Sequence, residues 1–254
     1  MTNKTSMRLM RHSFLALLFV LAMAVGVPVM AASGGSLQQA NASLSDQGSL
    51  QNGAKLYFNY CSGCHSLKLM RYSRIASDLG LTEQQVMDNL NFTGAKFGDQ
   101  VPPSMDVEDA KRWFGAAPPD LSLMARAKGV DYIYTYLKSF YLDPSRPLGW
   151  NNTTFPNASM PNALWELQGV QTAVFKPGEK GGDPVFEKFE MHQPGRLDPK
   201  AFDVVARDIA NFLQYAAEPA GLVRKQVGVW VLLFLGVFTL LAWLLKQEYW
   251  KDVH

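Results

Sequence analysis

The hydrophobic positions of this chain are concentrated in two long runs, one near each end. The first run, Phe14 to Val27, follows three basic residues and precedes the small residues Ala31 and Ala32. This order of basic, apolar and small residues is typical of a secretory signal peptide, which we assign to residues 1–32. An N-terminal membrane helix is the alternative, but the run is short for a span and a polar segment follows it.

The second apolar run, Val227 to Leu245, contains no charged residue and has aromatic residues near both ends. At about 1.5 Å per residue its length is close to the roughly 30 Å of a bilayer core. A buried core helix would instead carry polar residues on one face. We therefore predict an exported, periplasmic domain over residues 33–225, a single transmembrane anchor in the inner (cell) membrane over residues 226–245, and a cytoplasmic tail over residues 246–254.

Apolar residues recur at helical spacing in several segments between these runs, whereas one long segment lacks this pattern. The segments that favour helices are Ser49 to Tyr60, the residues after Thr82, where Gln85 completes a capping box, Asp131 to Leu137, and the residues from Asp198-Pro199 to Ala216. The segment from Tyr141 to Arg196 is rich in Pro, Gly and Asn and is predicted as a long loop. The pattern thus predicts a mainly α domain in which the first and last helices cross.

Composition and charge exclude several classes of function. The chain has 24 Lys and Arg against 22 Asp and Glu, and the charged residues left without the signal and tail are close to balanced. The basic clusters of a nucleic-acid-binding protein are absent from the sequence, so no nucleic-acid partner is expected. Only two cysteines occur, and both lie in one short motif, so this chain uses them for chemistry other than a disulfide framework.

The motif Cys61-Ser62-Gly63-Cys64-His65 has the spacing of a c-type haem attachment site. In such a site each thiol adds across a haem vinyl group and the histidine binds the iron, so the thiols must lie one helical turn apart. A dithiol redox pair would accompany a βαβ pattern, and a zinc site would need further Cys or a pair of closely spaced His residues; the sequence has neither. The motif predicts one covalent haem c held by Cys61, Cys64 and His65.

The second axial ligand separates electron transfer from haem catalysis, because an occupied distal position leaves no place for oxygen or peroxide. Met70 follows His65 too closely to reach the opposite face of the ring. Met160 is the leading candidate because it lies in the long predicted loop, and a loop of that length in a compact domain usually has a function. The remaining alternatives are Met105, Met124, Met191 and His192. For any single methionine the alternative role is core packing.

Beyond the haem motif, three features resemble the cytochrome c1 family over nearly the whole mature chain. The segment from Ala117 to Ser122, Ala-Pro-Pro-Asp-Leu-Ser, is similar to a segment beside the haem in that family, and Arg126-Ala127-Lys128 follows it. Ala-Ala-Glu-Pro closes the last helix before the anchor at residues 216–219. The order of signal, haem domain, single span and short tail is also that of the family. The resemblance implies a cytochrome c-like haem domain with long loop elaborations and one C-terminal transmembrane helix.

The resemblance also implies roles for individual residues. It implies that Met160 is the distal ligand, although this chain has Met-Pro-Asn where many relatives have Met-Ala-Pro-Pro. It further implies an arginine and a tyrosine near the haem propionates. Lys128 stands where that arginine often is, with Arg126 and Tyr132 close by in the sequence. A lysine ammonium is a point charge, so it cannot form the paired hydrogen bonds that a planar arginine guanidinium makes to a carboxylate.

Pro118 and Pro119 fit the proximal side of such a haem. Because a proline nitrogen cannot donate a hydrogen bond, the carbonyl of Pro119 is free to accept one from Nδ1 of His65 and to fix the ring. On the same hypothesis Asp120 caps the helix that carries Arg126.

The family implies an electron-transfer subunit of a quinol:cytochrome c oxidoreductase, which is not catalytic alone. The implied partners are cytochrome b, a Rieske iron-sulfur protein as donor, a c-type cytochrome as acceptor and the lipid bilayer, within a dimeric complex. Two alternatives stay open. One is a membrane-anchored c-type cytochrome of another oxidase or reductase, and the other is a haem peroxidase-like enzyme with an open distal site.

Overall fold

The computed structural model describes residues 37–178, 182 and 184–251. The predicted signal peptide lies outside these residues, as do the last three residues of the tail. The helices of the described residues are α1 (Gln47–Tyr60), α2 (Tyr72–Leu79), α3 (Glu83–Leu90), α4 (Val107–Phe114), α5 (Met124–Lys128), α6 (Val130–Lys138), α7 (Trp165–Gln168), α8 (Pro199–Ala217) and α9 (Gly221–Tyr249). The prediction of a mainly α fold is therefore confirmed.

The strands of the described residues form three antiparallel pairs. The pairs are β1 (Leu67–Arg71) with β2 (Gln100–Val101), β3 (Phe140–Leu142) with β4 (Trp150–Asn152), and β5 (Gly169–Lys176) with β6 (Val185–Pro194). The third pair is a long hairpin inside the segment predicted as a loop, which also contains β4 and α7, so the loop prediction is wrong for these residues. Nearly every residue of β6 is exposed, so this strand lacks the alternation of buried and exposed residues that reveals a strand in a sequence.

The core forms where α1 packs against α8, the crossing that the sequence predicts. Gly53 of α1 lies so close to α8 that a Cβ added there would be 2.0 Å from the carbonyl oxygen of Asp208. The Asp208 carboxylate is buried beside this contact and accepts hydrogen bonds from Ser49 Oγ and Asn52 Nδ2, each at 2.7 Å. Arg207 pairs with the same carboxylate at 2.9 Å. The crossing therefore combines close backbone packing with a satisfied buried charge.

Helix caps follow the residues that the sequence marks. Thr82 and Gln85 form the predicted capping box at the start of α3. The Asp198 side chain accepts a hydrogen bond from the backbone N–H of Ala201, and Pro199 occupies the first turn of α8. These side chains satisfy N–H groups that have no partner within the helix.

The last helix, α9, contains the one candidate membrane span of the described residues. This stretch, Val227–Tyr249, is 23 residues long and is exposed along its whole length, which corresponds to about 35 Å of helix. So large an exposed apolar surface requires an apolar environment. Since α8 ends at Ala217 and α9 begins at Gly221, the helical domain continues almost directly into a single-pass membrane anchor.

Candidate haem site

The attachment motif lies on a helical turn that directly continues α1. The N–H of Cys61 donates to the carbonyl of Tyr57 at 2.8 Å, and the N–H groups of Cys64 and His65 donate to the carbonyl of Cys61 at 3.0 and 2.9 Å. Neither cysteine forms a disulfide. The turn therefore presents two free thiols three residues apart and an imidazole immediately after them.

Burial keeps both thiols protonated at neutral pH. The buried position of Cys61, followed by the nearby Cys64, raises the pKa of the Cys61 thiol to about 12. Burial also raises the pKa of Cys64. The raised pKa values argue against a redox-active dithiol, which needs a thiolate of lowered pKa.

The His65 ring is fixed by a backbone carbonyl. Its Nδ1 lies 2.8 Å from the carbonyl oxygen of Pro119, which is the contact that the Pro119 hypothesis describes. A carbonyl oxygen can only accept, so Nδ1 carries the proton and Nε2 keeps its lone pair for a metal ion. Burial lowers the pKa of His65 despite this hydrogen bond, which favours the neutral, metal-binding form. The hydroxyl of Tyr57 donates to the His65 carbonyl at 2.8 Å and so fixes the backbone too.

Asp120 does not cap the helix that carries Arg126, and that part of the prediction is wrong. Helix α5 begins several residues further on and has no side-chain cap. The Asp120 carboxylate instead accepts hydrogen bonds from Ser66 Oγ at 2.7 Å and from the N–H groups of Lys68 and Ser122 at 2.8 and 3.0 Å. Burial raises the pKa of Asp120, but these hydrogen bonds outweigh it, so the pKa is lowered overall. The carboxylate ties the Pro-Pro-Asp segment to the residues after His65.

Met160 lies in the loop between β4 and α7, which asparagine side chains hold in shape. The side-chain oxygen of Asn151 accepts a hydrogen bond from the N–H of Asn157 at 2.8 Å. The side-chain oxygen of Asn152 accepts from the N–H groups of Thr154 and Phe155 at 2.9 and 3.0 Å. Met160 is half-buried, and the hydroxyl of Tyr136 lies 3.5 Å from its Sδ.

The alternative distal ligands lie in less suitable places. Met191 and His192 are exposed on β6, and Met124 packs against the hydrophobic core. The N–H of Met105 donates to the carbonyl of Gly63 at 2.9 Å, which holds it beside the attachment turn itself.

Lys128, Tyr132 and Tyr136 form a continuous line of contacts that ends at Met160. The Lys128 Nζ lies 5.6 Å from the centre of the Tyr132 ring, and that ring stacks on Tyr136 at 6.1 Å. Arg126 and Lys128 are exposed on α5. The sequence interpretation did not include Tyr136, although its spacing of four residues from Tyr132 on a predicted helix places both rings on one face.

The comparisons with known proteins decide the family. The sequence matches the model of the Cytochrome C1 family over residues 38–173 and 187–253. The chain belongs to the cytochrome c1 family. The unmatched residues, 174–186, include the end of β5 and the start of β6, so these strand ends lie outside the cytochrome c1 match.

Individual relatives match along most of their length. Cytochrome c1 of Allochromatium vinosum is 50% identical over 247 residues, which cover 96% of this chain and 100% of the relative. The ammonia monooxygenase gamma subunit of Nitrosomonas europaea is 39% identical, with 98% of this chain and 100% of the relative covered. Cytochrome c1 of Rhodospirillum rubrum is 31% identical, with coverage of 82% and 83%.

Cytochrome c1 proteins carry one covalently bound haem c, and the residues of this chain fit that group. Cys61 and Cys64 offer free thiols at the required spacing. His65 offers Nε2 because its Nδ1 is engaged by Pro119. The Met160 thioether is the type of ligand that pairs with histidine in cytochromes.

Proposed function

We propose that the chain is the electron-transfer haem subunit of a quinol:cytochrome c oxidoreductase, the cytochrome bc1 complex. The observation that carries this proposal is the Cys61-to-His65 turn, with its imidazole held by Pro119, in a chain of the cytochrome c1 family. Haem c supplies an iron centre that gains and loses one electron. In this proposal Cys61 and Cys64 hold the group covalently and His65 is the proximal ligand.

Met160 is the proposed distal ligand. Support comes from its half-buried position in a loop whose backbone is held by Asn151 and Asn152. A thioether opposite an imidazole favours the ferrous state relative to two imidazoles. If His65 and Met160 both bound the iron, oxygen and peroxide would have no binding site, as an electron carrier requires.

Lys128, Arg126 and Tyr132 are proposed to face the haem propionates. The two cations are exposed on α5, and Tyr132 is half-buried beside Lys128. Such cations stabilise carboxylates at a partly exposed haem edge, while the tyrosine hydroxyl donates a hydrogen bond.

The proposed topology follows from the two apolar runs. Residues 1–32 direct export and are removed, residues 33–225 form the periplasmic domain, residues 226–245 anchor it in the inner membrane, and residues 246–254 remain in the cytoplasm. Cytochrome b and the Rieske protein are the partners within the complex. We further propose that a c-type cytochrome accepts the electron and that the complex is dimeric.

Isolation of the tagged full-length chain from its native membranes tests this function. We expect cytochrome b and a Rieske protein to purify with it in detergent. We also expect haem to stay attached after denaturation and the absorption spectrum of the reduced protein to be unchanged by carbon monoxide. A colourless chain with two free thiols would overturn the proposal, and carbon monoxide binding would favour the peroxidase-like alternative.

Substitution of the methionines tests the ligand. Met160→Leu is expected to abolish the near-infrared charge-transfer band that arises from methionine bound to ferric iron, whereas Met191→Leu, on the exposed hairpin, is the matched control and should keep it. If Met105→Leu abolishes the band and Met160→Leu does not, Met105 is the ligand.

A second assignment is favoured by the relative named as an ammonia monooxygenase gamma subunit. In that case the same haem-binding residues serve electron transfer beside a monooxygenase. The purification distinguishes the two, because the other subunits of an ammonia monooxygenase would then replace cytochrome b and the Rieske protein.

A further inference from the structure

We propose that Tyr136 is a positioning residue for the distal ligand, whose hydroxyl donates a hydrogen bond to the sulfur of Met160 and thereby raises the reduction potential of the haem. This inference rests on the proposed role of Met160 as ligand, and it adds a residue that sets the strength of that ligand.

The contact has the chemistry that this role requires. The Tyr136 hydroxyl oxygen lies 3.5 Å from Met160 Sδ, a distance suited to a large sulfur acceptor. A thioether sulfur has two lone pairs, so it can donate one to a metal ion and still accept a hydrogen bond with the other. Within the residues that the structure describes, this sulfur is the hydrogen-bond partner of the Tyr136 hydroxyl.

The direction of the hydroxyl is fixed by packing on both sides of the ring. Tyr132 stacks on Tyr136 with 12° between the planes, and Phe140 meets it edge-on at 5.0 Å. The ordinary pKa of a tyrosine is about 10, so the hydroxyl carries its proton at neutral pH. The Tyr136 hydroxyl is therefore a donor that the packing of its ring directs towards Met160 Sδ.

Asn152 connects Tyr136 to the loop that carries Met160. Asn152 Nδ2 donates to the backbone carbonyl of Tyr136 at 2.9 Å, while its side-chain oxygen accepts from the N–H groups of Thr154 and Phe155. Helix α6 and the loop that carries Met160 are thus bound to one buried residue of β4. These bonds fix the start of the loop, at Thr154 and Phe155, relative to the helix that carries Tyr136.

The electronic effect has a definite sign. A hydrogen bond to the sulfur withdraws electron density from it and makes it a weaker donor to the metal ion. The ferric state, with its higher charge, loses more stabilisation from this than the ferrous state does, so the hydrogen bond favours reduction. Hydrogen bonds to coordinating groups are an established means by which proteins adjust metal potentials.

Tyr136→Phe tests the inference, because it removes only the hydroxyl and keeps the ring. The matched control is Tyr134→Phe on the same helix, whose hydroxyl accepts from Lys138 Nζ at 3.0 Å. Both variants are made in the full-length, detergent-solubilised holo-protein, and the potential is measured by spectroelectrochemical titration. At fixed ambient potential we expect the ratio of reduced to oxidised haem to fall about threefold to tenfold in Tyr136→Phe, where tenfold corresponds to 59 mV for one electron, and to change less than about twofold in the control.

The near-infrared band separates this inference from the proposed function. If Met160→Leu abolishes the band but Tyr136→Phe leaves the potential unchanged, Met160 is the ligand and the role of Tyr136 is overturned. If Met160→Leu keeps the band, the ligand assignment and this inference both fail. Should Tyr136→Phe not accumulate with haem, an experimental structure of the native holo-protein decides: the hydroxyl within hydrogen-bond distance of the coordinated sulfur supports the inference, and a hydroxyl turned elsewhere overturns it.

Discussion

Gly53→Ala is expected to destabilise the haem domain strongly although it adds only one methyl group. The new Cβ would lie 2.0 Å from the carbonyl oxygen of Asp208 and 2.7 Å from Cβ of Phe212. The atoms on both sides of this contact are close-packed backbone and Cβ atoms, which cannot rotate away as a flexible side chain could. The helices α1 and α8 would therefore have to move apart by about 1 Å or more to restore normal contact.

The expected change in the free energy of unfolding combines two destabilising effects and one stabilising effect. Overpacking of a core contact costs about 1–3 kcal/mol, and the hydrogen bonds from Ser49 and Asn52 to Asp208 would lengthen, at about 1 kcal/mol. Alanine is favoured over glycine inside a helix by about 1 kcal/mol. The free energy of unfolding should therefore fall by about 1–3 kcal/mol, which lowers Tm by about 2–12 °C for a domain of this size.

Thermal unfolding of the full-length holo-protein in detergent, followed by circular dichroism and haem absorbance, measures this change. Gly48→Ala is the matched control in α1, since a Cβ there meets only Asp46 Oδ1 at 3.6 Å. The control should match the native Tm or exceed it by a few degrees. If Gly53→Ala unfolds at the native temperature, the close approach of the two helices described here is wrong.

Three further predictions concern single side chains. Asp208→Asn should lower the free energy of unfolding by about 2–3 kcal/mol, seen as a lower urea midpoint with an unchanged slope, because an amide NH₂ replaces an oxygen that accepts a hydrogen bond and the partner of Arg207 loses its charge. The lowered pKa of Asp120 means that its stabilisation is complete above its ordinary pKa and is lost as pH falls through the folded value. Asp120→Asn should therefore reduce the loss of stability between about pH 5 and pH 2, and an unchanged acid profile would contradict this assignment. Cys64→Ala should leave a single thioether and shift the α-band of the reduced pyridine haemochrome to longer wavelength; an unshifted band would show that Cys64 forms no bond to haem.

Local patterns in the sequence are sufficient for α1, α3, α6 and α8 and for the attachment turn, whereas α2, α4 and α7 were not predicted. The apolar spacing that predicts α1 and the caps at Thr82 and Asp198 depend on residues within one or two helical turns. The haem motif is equally local. These features require no knowledge of distant contacts, so they can be read before the fold is known.

Two features that depend on distant residues could not be predicted in the same way. The role of Asp120 as a helix cap was wrong because the N–H of Leu121 donates to the carbonyl of Ser66 at 2.9 Å, a tertiary contact that delays the start of α5. The Tyr136 hydroxyl reaches Met160 across 24 residues, and no local pattern reveals such a pair.

The crossing of α1 and α8 has a consequence for biogenesis. Ser49 and Asp208 are 159 positions apart, and α8 immediately precedes the membrane helix. The segment that bears the two cysteines must therefore wait for its packing partner until almost all of the polypeptide has been synthesised, and such distant pairings are slow to form. Until α8 has been made, the attachment turn lacks the helix that packs against α1, so its two thiols are less buried than they are in the folded domain.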